Sequence, residues 1–215
     1  MCEAALEEAG AWVAADFNEF SDLLRLCTHL RGTKVGGNRV AAISNAGFEA
    51  VGMADSIKTG RQFLRIQPFT GDTARSLAEA LEEFRLDGLV DVKNPFDITP
   101  MANDEAYARL VSTILENPEI DAAVVGIVPL TPALQTLPAF EGSRESITDP
   151  NSVCQLLPRT AESSGKPVVV VVDSGSIFDP MVEALESGGL PVFRSADRAM
   201  RMLCRWIAVK QGGRT

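Results

Sequence analysis

A single histidine, four cysteines with no close pair among them and an aromatic content of 6% leave this 215-residue chain short of the side chains most catalytic centres use. One imidazole cannot supply a Ser-His-Asp triad or a histidine metal cluster. That histidine, His29, falls roughly opposite the Phe20 and Cys27 stripe of its helix, which predicts a solvated surface residue. The cysteines, at positions 2, 27, 154 and 204, show no CxxC or metal-ligand spacing and read as reduced thiols. No apolar run approaches the roughly 20 residues that cross a bilayer. The first ten residues, MCEAALEEAG, are acidic and helical in character and lack a signal-peptide pattern, so a cytoplasmic protein off the membrane is expected. Basic excess is missing too: a formal charge of −9 repels a phosphate backbone and disfavours nucleic acid. Neither GxGxxG nor GxxxxGK[ST] occurs, which weakens NAD and P-loop nucleotide readings.

What the chain does have is apolar residue, 46% of it, arranged in short β-branched runs that alternate with amphipathic segments of 3.6-residue period. That alternation predicts an α/β three-layer fold of flavodoxin-like (Rossmann-like) kind, with a mainly parallel sheet and an N-terminal helical appendage. Strands are expected at 39–43, 63–66, 88–92, 122–128, 168–172 and 191–193. Between them lie helices carrying Ala50, Val51, Ala54 and Ile57; Leu77, Leu81 and Phe84; Tyr107, Leu110, Val111 and Ile114; residues 177–186; and Ala199, Leu203 and Trp206. Asp16, with Glu19 three residues on, reads as the N-cap of an earlier helix whose Phe17, Phe20, Leu24 and Cys27 form an apolar stripe. The Gly-rich segment behind it divides an appendage and linker, residues 1–36, from the main domain, residues 37–215. Residues 130–150 are too long for an ordinary structureless loop and read as mobile, functional or interfacial.

Ligands of open parallel sheets bind outside the carboxyl ends of the strands. The turn Ser44-Asn45-Ala46-Gly47 is the first such place, and its helix would offer free N–H groups to an anion, or use Gly47 simply for backbone freedom. Asn94 and Asp97 close the turn around Pro95 or contact a ligand there. Paired carboxylates such as Asp104-Glu105 read as solvated helix faces. No metal ligand set is expected.

The segment from Gly37 to Gly47 with Met53-Ala54-Asp55 resembles the GNRVAIVTNAGG...AAD stretch of ADP-forming acetyl-CoA synthetases, relatives of succinyl-CoA synthetase. Cys2 to Val13 is similar to that family's DAAFRQAGV, Lys93 to Thr99 to its KNPVDLT, and Lys166 to Val169, Gly189 to Arg194 and Asp197 to Ala199 to its KPV...GIPVYRTPERA. The resemblance covers nearly the whole chain and implies the last flavodoxin-like domain of the alpha part of a nucleoside-diphosphate-forming acyl-CoA synthetase, an acid–thiol ligase. In that family a phosphohistidine carries the phosphoryl group to ADP, cradled by helix N-termini. The matching cradle here is Asn45, Ala46, Gly47 and Phe48. The resemblance further implies that this chain alone binds no cofactor and is inactive. The parent enzyme would use CoA, ADP or ATP, phosphate and Mg, with a CoA-binding domain and an ATP-grasp domain or subunit as partners and a homo-oligomer as a further state. The carrier histidine, in a motif of SHTGA type, would lie upstream of Met1. Two glycines of the family loop NAGGPG are replaced by Phe48 and Ala50, and Glu49 stands where a phosphate approaches. Glu49 either points away along the helix or closes the loop to a dianion. The alternative to a ligase part is a non-catalytic flavodoxin-like assembly or ligand-sensing module.

Overall fold

The computed structural model describes residues 5–6, 9, 11–60, 62–143 and 145–211, so Cys2 lies outside the described residues. In chain order the elements are α1 (Phe17–His29), β1 (Val40–Ser44), α2 (Gly47–Asp55), β2 (Lys58–Thr59), β3 (Gln62–Phe63), α3 (Gly71–Glu83) and β4 (Phe96–Asp97). Then come α4 (Asp104–Glu116), β5 (Ala122–Ile127), α5 (Val153–Ser164), β6 (Val168–Val172), a 3-10 turn at Ser176–Phe178, α6 (Asp179–Ser187), β7 (Val192–Phe193) and α7 (Ala196–Lys210). Five strands form one parallel sheet in the order β4-β1-β5-β6-β7. The chain thus steps from β1 outward to β4 and returns to the other side of β1, which is the doubly wound order of the flavodoxin-like α/β fold.

β1, β5 and β6 are buried at every position because helices cover both faces, and successive residues feed opposite cores. Ala41, Ile43, Val125 and Val170 pack with Leu77, Tyr107, Leu110, Leu157 and Met181 from α3 to α6. Val40, Ala42, Val124 and Val171 pack with Met53 of α2, Leu26 of α1, and Leu203 and Trp206 of α7. The apolar runs at 122–128 and 168–172 therefore fold as the sequence predicts.

Three expectations change. Residues 88–92 are not a strand; Leu89 is 65% exposed, and the sheet takes its edge from Phe96–Asp97, read above as a turn. Phe96 and Ile98 are fully buried and Leu89 is not, so burial decides the matter against β-propensity. The 63–66 strand shrinks to an antiparallel ribbon of β2 with β3 plus one parallel bridge from Arg65 to Arg39. On α1 the buried residues are Asp22, Leu23 and Leu26, whereas Phe17, Phe20, Leu24 and Cys27 face outward. A second apolar stripe beside the first misdirects the period; ion pairs of Asp22 with Arg198 and Glu19 with Arg205 fix which face meets α7. Asp16 caps α1 as expected, accepting the Glu19 N–H at 2.8 Å. Among the described residues no helix is long and apolar enough to cross a membrane.

Candidate functional site

The switch point of the sheet lies between the carboxyl ends of β1 and β5, where neighbouring connections leave in opposite directions. The Asn45 side chain ties the two ends together. Its Nδ2 donates to the Val128 carbonyl at 3.0 Å and its Oδ1 accepts the Val128 N–H at 2.8 Å, so Asn45 is a clamp and its amide is occupied. Behind it, the fully buried Tyr107 hydroxyl donates to the Gly126 carbonyl. Burial first, then the charges of Glu49 and Asp97, raise the Tyr107 pKa well above its ordinary value, so the phenol remains a neutral donor. Tyr107 reads in sequence only as one more apolar position of α4.

α2 begins on Ala46, an N-cap with no side-chain acceptor. Alanine there forgoes about 1 kcal/mol relative to Ser, Thr, Asp or Asn. The Ala46 N–H itself bonds the Ser44 Oγ at 3.1 Å, and the Ser44 hydroxyl donates in turn to Glu49 Oε2 at 2.6 Å. This is a capping box in which the carboxylate at the third helical position reaches the cap N–H through a serine relay. The N–H groups of Gly47 and Phe48 are left over. Neither bonds any described residue, and both lie at the positive end of the helix.

Glu49 resolves in favour of pointing away. It is 2% exposed and turned under the sheet, seated on β5 where any Cβ at Gly126 would overlap its carboxylate. Burial pushes its pKa up to about 7; the Ser44 hydrogen bond offsets part of this and the charge of Asp173 adds to it. Its Oε1 is buried without a partner among the described residues.

A cleft of about 340 Å³ opens in front of the helix end, lined by Gly47, Asp97, Thr99, Val128, Leu130 and Thr131 among others. The Asp97 carboxylate accepts the Thr99 N–H at 3.0 Å, and its second oxygen lies 2.9 Å from where a Gly47 Cβ would stand. Gly47 is therefore required by close approach, and Asp97 faces the cleft. Asn94 does not. Its side chain bonds the Ala42 N–H and the Val40 and Gln67 carbonyls at 3.0 Å each, completing the β1 edge between the Arg65 bridge and β4. The rim is apolar, with Phe48 67% and Leu130 81% exposed.

Elsewhere, Asp104 is buried, against the expectation of a solvated face. It accepts the Val153 N–H at 2.6 Å at the start of α5 and the Gln135 N–H at 3.2 Å, pinning the 130–150 loop. His29 is half-buried and lines a separate cleft of about 430 Å³ with Arg31 and Lys166. That cleft adjoins the starts of β6 and β7, at the opposite end of the strands from the switch point. Cys154 and Cys204 are buried and Cys27 is exposed, all three as free thiols. Among the described residues no cluster of His, Cys, Asp or Glu is placed to hold a metal ion.

A doubly wound sheet whose switch point carries a helix end with two N–H groups that bond no described residue defines the chain as an α/β domain. No family model matches the chain. Its homologues are alpha subunits of ADP-forming acetyl-CoA synthetases. The chain is 28% identical over 193 residues to the acetate–CoA ligase [ADP-forming] II subunit alpha of Pyrococcus furiosus, a match covering 89% of this chain and 37% of that one. It is 23% identical over 207 residues to the corresponding I subunit alpha, covering 93% and 38%. Among solved structures, a Pyrococcus horikoshii protein superimposes with a TM-score of 0.71 at 25% identity, over 98% of this chain and 43% of that chain. The fold also matches the dinucleotide forming acetyl-coenzyme A synthetase 1 of Ca. Korarchaeum cryptofilum, solved in complex with phosphate and ADP, at a TM-score of 0.70 and 21% identity, over 97% and 41%. The chain thus spans less than two-fifths of the curated relatives it matches.

Proposed function

We propose that this chain is the flavodoxin-like part of an ADP-forming acyl-CoA synthetase, with residues 37–215 as the functional unit and residues 1–36 as its lead-in. It helps to cradle a phosphohistidine at the N-terminus of α2. The observation that carries this reading is the pair of N–H groups on Gly47 and Phe48 that bond no described residue, at a helix end that borders a cleft at the switch point through Gly47 and whose cap residue offers them nothing. The inward turn of Glu49 keeps its carboxylate out of that cleft. A phosphate there gains from the helix end without needing a cationic side chain. The exposed Phe48, Leu89 and Leu130 around the opening form the apolar rim of a surface that a CoA-binding or ATP-grasp partner would cover while presenting the phosphohistidine. CoA, ADP or ATP and Mg belong to those partners, and the chain by itself catalyses no reaction.

Reconstitution tests the reading. The chain is combined with CoA-binding and ATP-grasp polypeptides from the same source, and acyl-CoA-dependent phosphorylation of ADP is followed. Activity should require the chain and fall by more than tenfold on Gly47→Val, whose side chain fills the approach to the amides. Full activity without the chain, or undiminished by that substitution, would overturn it.

A further inference from the structure

Resting on the reading of α2 as an anion seat, we propose that Glu49 is a positioning residue that couples the seat to a proton: an anion on the Gly47 and Phe48 amides and a proton on Glu49 favour each other. Geometry carries this. Glu49 stands at the third position of the same helix end, joined to the cap through Ser44, and is 2% exposed with Oε1 unpartnered. Among the described residues no cation neutralises it. β1 and β5 carry no charged residue, α4 presents Tyr107, β4 presents Asp97, and Asp173 follows β6. On α7, Arg198, Arg201 and Arg205 are already paired with Asp22, Asp197 and Glu19. The side chain is thus a buried acid that reaches the helix end from beneath while the ligand reaches it from above. Ionised, it competes with the ligand for one positive pole; protonated, it leaves that pole to the ligand and still accepts the Ser44 hydrogen bond. Its elevated proton affinity places the change near neutral pH. By linkage, anion binding takes up a proton on Glu49, and lowering the pH tightens anion binding.

Sulfate is the appropriate probe because its charge does not change between about pH 5 and pH 9, whereas phosphate itself titrates in that interval. Binding to the whole chain is measured by calorimetry in buffers of different ionisation heat and by amide NMR. Wild-type affinity should rise about tenfold from pH 8.5 to pH 5.5 with net proton uptake near neutrality, while Glu49→Gln binds with little pH dependence and no uptake. The carboxyl resonance of wild-type Glu49 should titrate at higher pH when sulfate is present, a readout independent of how the variant folds. Sulfate binding at Gly47 and Phe48 with the same pH dependence in both proteins, or a Glu49 midpoint unmoved by sulfate, overturns the coupling while sparing the seat. No sulfate at those amides at any pH overturns the seat and the coupling together.

Discussion

Replacing Glu49 with glutamine should make the fold more stable at alkaline pH and change the shape of its pH dependence. The carboxyl has an ordinary pKa of 4.5 and is held at about 7 in the fold, chiefly by burial. Each tenfold difference in proton affinity corresponds to about 1.4 kcal/mol, so the ionised form costs the folded state on the order of 3 kcal/mol. The sign follows from which state loses its proton first. Below pH 4.5 folded and unfolded chains both hold the proton, and the full stability is present. As the pH rises from 4.5 to 7 the unfolded chain ionises while the folded chain does not, so stability falls; above 7 the loss is complete. Glutamine accepts the Ser44 hydroxyl and cannot ionise. Urea unfolding of both proteins between pH 5 and pH 8.5 should therefore show the variant gaining about 2 kcal/mol relative to wild type across that range. Parallel curves, or a relative gain toward acid pH, would refute a buried carboxyl at this position.

Asn94→Ala removes three hydrogen bonds that complete the β1 edge, and should lower stability by about 2 kcal/mol without touching the cleft, read as a drop in urea midpoint. Asp121 is buried and accepts from the Arg39 backbone N–H and from Nε and Nη2 of its guanidinium, each at 2.9 Å. Burial alone would raise its pKa, but these bonds and the Arg39 charge hold it below the ordinary carboxylate value. Asp121→Ala should cost about 3 kcal/mol at pH 7. That difference should shrink in acid, since the stabilisation is present above the unfolded pKa and is lost as pH falls through the lower folded one.

How much of this was legible in the sequence depends on the range of the forces involved. β5 and β6 announce themselves as unbroken apolar runs, because burial on both faces leaves no place for polar alternation. The turn from Ser44 to Gly47 is likewise visible, as the end of such a run followed by an amphipathic helix. The edge strand was not: residues 88–92 have the stronger β character, but Phe96 and Ile98 are the side chains the core accepts. Glu49 was legible as a carboxylate in the wrong place for a phosphate. Its orientation was not, since that depends on room left by Gly126, far away in sequence. Asn45 and Asn94 could be placed beside the site, yet their hydrogen bonds run to backbone groups 83 and 27 to 54 residues distant, which local patterns do not encode. Asp104 was missed for the same reason, its partner at Val153 being 49 residues away.

A crystal of the chain soaked in phosphate shows whether the two free amides of α2 hold an anion. Phosphate density should appear in the cleft of the switch point within hydrogen-bonding distance of the Gly47 and Phe48 nitrogens, with Glu49 still turned under β5 and bonded to Ser44. An empty cleft in which the Asp97 or Glu49 carboxylate has moved onto those two nitrogens would contradict the anion seat.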